Sequence, residues 1–154
     1  MSTITQSVDV AVPVRTAYNQ WTQFESFPHF MEGVESVVQH GDTMTHWKIK
    51  IGGVEREFDA RITEQRPDEK IAWASIAGPR HAGVVTFHAL RDGGTRVSLE
   101  LETEPEGAAE NLADAAGLLS HRVKGDLQRF ARFIEHRGQE SGGWRGEVPP
   151  PPAV

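Results

Sequence analysis

The stretch HWKIKIGGVEREFDARITEQRPDEKIAW, residues 46–73, alternates apolar and polar side chains on both sides of a Gly52-Gly53 pair. Before the pair, Trp47, Ile49 and Ile51 alternate with Lys48 and Lys50. After it, Val54, Arg56, Phe58, Ala60 and Ile62 share one parity, and Glu55, Glu57, Asp59, Arg61 and Thr63 the other. A period of two puts successive side chains on opposite faces of a strand, so each run reads as half-buried. Two such runs joined by Gly-Gly predict a hairpin of Met44–Ile51 and Val54–Thr63. Arg66-Pro67-Asp68-Glu69 then turns the chain into a further strand, Ile71–Ile76.

The same grammar extends both ways. Upstream, Ile4, Val8, Val10 and Val12 share one parity and predict a first strand that ends at Pro13. Val14, Ala17, Tyr18, Trp21 and Phe24 follow at helical spacing, and Phe24–Met31 reads as a second short helix or turn broken by Pro28. Val34–His40 precedes the hairpin. Downstream, Gly78-Pro79 and Asp92-Gly93-Gly94 bracket Ala82–Leu90, and Thr95–Thr103 alternates Val97, Leu99 and Leu101 with charged and polar residues. The period then changes to 3.6. Leu112, Ala116, Leu119, Val123, Leu127, Phe130 and Ile134 form one apolar stripe, with Gly138 as its stop. Gly117 and Gly125 interrupt it, permitting a kink or a close approach to the sheet.

The order predicts an α+β domain: a curved antiparallel sheet of about seven strands, two short helices after the first strand, and one long C-terminal helix across the sheet. Residues 1–138 are expected to form one ligand-binding domain, and residues 139–154 read as a flexible Gly/Pro-rich tail. Where a strongly bent sheet meets one helix, a cavity remains between them, and such cavities take small molecules.

Composition narrows the chemistry. The chain has 154 residues, 22 acidic against 16 basic, for a net charge of −6, so binding to nucleic acid is not expected. It has no cysteine, which excludes disulfides, thiol nucleophiles and cysteine-ligated metals. No apolar run approaches the ~20 residues that span a bilayer, and the opening Met1-Ser2-Thr3-Ile4-Thr5 has no basic or apolar leader pattern. A cytoplasmic protein without stable membrane insertion is expected. No HExxH or phosphate-binding loop is present, and Ser75, Ser98 and Ser120 sit in no nucleophile elbow. No metal or cofactor is expected, and no motif assigns a reaction.

Eight residues are candidates for the cavity wall. Trp47, Phe58 and Trp73 would line it or pack as ordinary core, with Leu119, Val123 and Leu127 facing them from the helix. Arg56 shares the inward parity of Phe58 and would meet a ligand oxygen, or else reach past the sheet edge to water or a nearby acid. His88, like His46, would act as an acid–base group if it faced the cavity. The Phe24–Met31 segment would gate the entrance or simply pack over the sheet end.

Three segments carry a family likeness: VAVPVRTAYNQWTQFESFPHFM (10–31), the stretch 46–73, and GTRVSLELETEPEG (94–107). Over about residues 3–138 they resemble the START/Bet v 1-like (SRPBCC) helix-grip superfamily, more closely its polyketide cyclase/dehydrase-like and coenzyme-Q-binding-like bacterial members. The resemblance implies binding or carriage of a hydrophobic small molecule (a lipid, quinone or polyketide-like compound) or, alternatively, polyketide aromatase/cyclase or dehydrase activity in the same cavity. Aromatase/cyclases of this type place an inward arginine on the comparable strand. The resemblance puts Ile62 at that position, with Arg61 beside it on the opposite parity, where only a bulge would turn it inward.

Overall fold

A computed structural model describes residues 2–51, 54–76, 81–103 and 112–149, without the side chains of Ser2, Ile51, Val54, Thr103 and residues 112–119. The described residues hold seven strands: β1 (Ser2–Val10), β2 (Val34–His40), β3 (Met44–Ile51), β4 (Val54–Arg66), β5 (Lys70–Ser75), β6 (His81–Ala89) and β7 (Thr95–Thr103). They form one sheet in the order β1-β7-β6-β5-β4-β3-β2, and every neighbouring pair is antiparallel. Helix α1 (Val14–Trp21) and a 3₁₀ segment (Phe24–His29) follow β1, and the long helix α2 (Leu112–Arg137) closes the fold. The architecture is α+β and a helix grip, as the periodicities predict.

The hairpin register runs from Met44↔Arg61 to Ile51↔Val54; Gly52 and Gly53 lie outside the described residues, as do Gly78 and Pro79. β4 is longer than its alternation suggested, because a bulge between Ile62 and Glu64 resets the parity. Gln65 thereby points inward, is 1% exposed, and donates from Nε2 to the Tyr18 hydroxyl (3.0 Å). Pro13 caps α1 with an extended ψ of 155°, and Pro28 sits inside the 3₁₀ segment. Gly138 ends α2 at φ 74°, a left-handed conformation that costs glycine little, and its N–H donates to Ile134 O (2.9 Å).

The inner face of the sheet, α1, the 3₁₀ segment and the described part of α2 share one core. Trp21 meets Phe27, Phe87 and Phe130 edge-on at 5.5, 6.3 and 5.0 Å. Such pairs add about 0.5–1.5 kcal/mol each beyond their burial. Val123, Leu127, Phe130 and Ile134 carry the predicted stripe of α2 into that core. Gly125 does not bring the helix closer to the sheet. A Cβ there would stand 3.2 Å from the guanidinium of Arg129, so the glycine leaves room for that side chain to fold back along the helix.

Residues 140–149 run back over the body of the domain. Asn19 Nδ2 donates to Glu140 (2.8 Å), Ser141 N–H to Gln20 Oε1 (2.8 Å) and Trp144 N–H to Thr22 Oγ1 (3.1 Å). Arg145 reaches Asn19 (2.8 Å) and Asp68 (2.7 Å) and lies over the Tyr18 ring. Val148 and Gln65 exchange backbone hydrogen bonds of 2.9 and 3.0 Å.

Candidate ligand-binding site

Strand parity and the β4 bulge shape the inner surface. On β3, Thr45, Trp47 and Ile49 point inward, opposite Ala60, Phe58 and Arg56 of β4. On β5 and β6, Trp73 stands opposite Gly83, and a Cβ on Gly83 would fall 2.5 Å from the indole. The bare glycine therefore lets the Trp73 ring lie across the neighbouring strand. Phe58, Trp47 and Trp73 form a row of near-parallel rings, 6.1 Å and 6.4 Å between centroids.

Between this row and α2 lies a cavity of about 80 Å³. Trp47, Ile49 and Trp73 bound it from the sheet, with Leu99 and Leu101 of β7. Val123 and Leu127 bound it from α2, and Trp21, Phe27, Met31, Gly33 and Val34 from the short-helix side. Among the described residues its charged and titratable lining is His81, Arg122 and Asp126.

Of the candidates, Trp47, Trp73, Val123 and Leu127 line the cavity. Phe58 and Arg56 are half-buried on the same inner face, with Phe58 stacked behind Trp47 and 4.8 Å from the His81 ring. The side chain of Leu119 lies outside the described residues. His88 does not belong to the site. β6 turns His81, Gly83, Val85 and Phe87 inward, which leaves His88 exposed on the outer face opposite Arg96. His46 is also on the outer face, paired with Asp59 (2.7 Å) and Glu57 (3.4 Å), and these carboxylates raise its pKa.

The inward histidine is His81. Burial, and then the positive charge of Arg56, depress its pKa to about 4, so the ring is neutral at neutral pH. Its Nδ1 is buried without a hydrogen-bond partner, and so are the Nε1 atoms of Trp21 and Trp73. Trp47 differs: its Nε1 donates to Thr45 Oγ1 (2.8 Å), whose hydroxyl in turn donates to Ala60 O (3.2 Å). Parity alone separates His81 from His88, seven residues apart, and the run Val85-Phe87-Val97-Leu99 identifies the inner parity. That signal was in the sequence and pointed to His81.

A polar clamp holds one edge of the cavity. Asp126 Oδ1 accepts from Glu32 N–H (3.1 Å) and from Arg129, whose Nε donates to Phe30 O (2.9 Å). Glu32 also lies 3.6 Å from Arg129 and 4.0 Å from Arg122. Burial raises the Asp126 pKa, against the pull of Arg129. The clamp ties residues 30–32, which include the cavity-lining Met31 and adjoin the cavity-lining Gly33, onto α2. Among the described residues no three His, Asp or Glu side chains gather as metal ligands.

Ile62 is 2% exposed in the aromatic core, at the position where the resemblance expects an arginine. The β4 bulge falls beyond Arg61, which stays exposed and outward, opposite Met44 and Ala74.

A sequence model of the polyketide cyclase/dehydrase and lipid transport family matches residues 10–132. The chain belongs to that family. An uncharacterized 17.2 kDa protein from the melC2-rnhH intergenic region of Streptomyces lincolnensis is 54% identical over 149 residues, covering 96% of this chain and 99% of its own. A Thermus thermophilus protein of known structure has a TM-score of 0.76 at 19% identity, covering 90% of this chain and 100% of its own. The Zhui aromatase/cyclase of Streptomyces sp. R1128 has a TM-score of 0.73 at 15% identity, covering 93% of this chain and 99% of its own. At these identities the two structures establish a shared fold and nothing about chemistry. Among the described residues no helix is long and apolar enough to cross a membrane.

Proposed function

We propose that this member of the polyketide cyclase/dehydrase and lipid transport family binds or carries a hydrophobic small molecule in the cavity between the sheet and α2, in the cytoplasm. The observation that carries this reading is the cavity itself, walled by Trp47, Trp73, Leu99, Val123 and Leu127. Apolar area removed from water there contributes about 25 cal/mol per Å² to binding. Residues 30–33 flank the wall and are held to α2 by the contacts of Glu32 N–H and Phe30 O and by the Phe30 ring against Phe130 and Phe133. Native mass spectrometry of the protein as purified tests the reading. A co-purified molecule released on denaturation is expected; a ligand-free mass, with no shift after incubation with quinones, fatty acids or aromatic ketones, would count against it.

Aromatase/cyclase or dehydrase activity in the same cavity is the second reading. It is favoured by a neutral His81 and a carboxylate of raised pKa, Asp126, lining one space. The buried Ile62 weighs against it, because the cation that the resemblance implies for polarising a polyketide is missing there. Incubation with a minimal polyketide synthase distinguishes the two, since a carrier leaves the product pattern unchanged.

A further inference from the structure

Helix α1 spans eight residues, fewer than the ~12 an isolated helix needs, so its order depends on what packs against it. Its inner side chains, Ala17, Tyr18 and Trp21, belong to the core, and Trp21 also walls the cavity. Asn19 and Gln20 on the other side, with Thr22 just beyond, are polar, as on a surface helix, yet they are 6%, 0% and 2% exposed. Residues 140–145 cover them as a strap. Asn19 donates to Glu140 and accepts from Arg145, Gln20 accepts from the Ser141 N–H, and Thr22 accepts from the Trp144 N–H. Both sequence neighbours of Trp21 are thus held by the strap. A Cβ on Gly142 would stand 2.8 Å from Gln23 Oε1, and one on Gly143 2.8 Å from Asn19 Cγ, so glycine at both positions lets the backbone lie directly on these side chains. The bonds are polar, and water replaces such bonds at small net cost. Lifting the strap re-solvates a polar helix face and leaves Trp21 its ring contacts with Phe27, Phe87 and Phe130.

We propose that residues 140–145 are a latch on the ligand site: docked on α1 they hold its last turn, and with it Trp21, as a closed wall, and when they lift, that turn opens more often and lets a ligand in or out. This rests on the ligand-binding reading above and adds its regulation. The closed cavity has the same walls whether the strap is docked or lifted. The latch therefore governs the rates of entry and exit, and not the affinity.

The chain has no cysteine, so the strap can be locked by design. A Cβ on Gly143 would lie 3.0 Å from that of Asn19, within about half an ångström of the span a disulfide needs. The experiment compares the wild type, Gly143→Val, whose side chain would push the strap off Asn19, and Asn19→Cys/Gly143→Cys, oxidised and reduced. All are full chains labelled with ¹⁵N at tryptophan. Solvent exchange of the Trp21 Nε1–H and the association and dissociation rates of benzene are measured by NMR. The Trp47 Nε1–H, bonded to Thr45, is the reference. Gly143→Val should speed Trp21 exchange and both benzene rates at least about fivefold, with Kd within about twofold of the wild type and Trp47 unchanged. The oxidised pair should slow all three rates below the wild type, and reduction should release them. If the disulfide does not form, Gly143→Val against the wild type decides. Equal rates in those two proteins, equal acceleration of Trp47 and Trp21, or a changed affinity at unchanged rates would each overturn the proposal while leaving the cavity a ligand site. Benzene binding to none of the proteins would remove the ligand-binding reading itself, and the role of the latch with it.

Discussion

His81 and His46 respond to acid in opposite senses because one is inside the sheet and the other outside. The unfolded chain protonates His81 near 6.5 and the folded chain only near 4, so between those values the unfolded state binds more protons. The stability that His81 contributes is complete above pH 6.5 and is lost as pH falls towards 4, by about 3 kcal/mol in all. His46, with its raised pKa, stabilises the fold below its unfolded pKa and loses that contribution as pH rises through the folded value. Denaturant unfolding of His81→Gln should therefore depend less steeply on pH between 6.5 and 4 than the wild type; equal slopes would place His81 in water. Gly83→Ala is expected to destabilise by about 2–3 kcal/mol, since its methyl would lie 2.5 Å from the Trp73 indole and 2.9 Å from Leu101. Thermal unfolding measures this, and an unchanged midpoint would mean the indole moves aside freely. Alternation alone identifies Trp47, Trp73 and the inner parity of β6. It does not reveal which indole nitrogens find partners, since that depends on Thr45 happening to stand within 2.8 Å of one of them.

At the scale of elements, turn chemistry and period made nearly every boundary legible, including the stop at Gly138. What the pattern could not carry was long-range pairing. The β4 bulge has no signature in ITEQ, and the clamp joins Glu32 to Asp126 across 94 positions. Arg129→Met should remove the hold on Phe30 O and the direct partner of Asp126, 13% exposed, leaving it only the more distant charge of Arg122. A loss of about 2–3 kcal/mol is expected, with faster hydrogen exchange at the Glu32 amide. Unchanged exchange would show that the clamp does not restrain the segment. The stretch after Gly138 reads as a tail by composition, yet the backbone and side chains of residues 140–145 meet partners 77 to 126 positions away. We predict that a chain ending at Gly138 unfolds at least about 4–8 °C lower, the equivalent of ~2 kcal/mol for a domain of this size. An unchanged midpoint would mean that those bonds are offset by the entropy of ordering the segment.

For the molecule as a whole, the sheet order and the single long helix leave a space that the core side chains do not fill, and the account rests on that space being a binding site. Calorimetric titration of benzene into the wild type and into Val123→Phe is the direct measurement, because Val123 lines the cavity from α2 and a phenyl ring there occupies it. Saturable one-to-one binding is predicted for the wild type, weakened at least about tenfold in the filled variant. Equal heats in both proteins, or none in the wild type, would contradict the account.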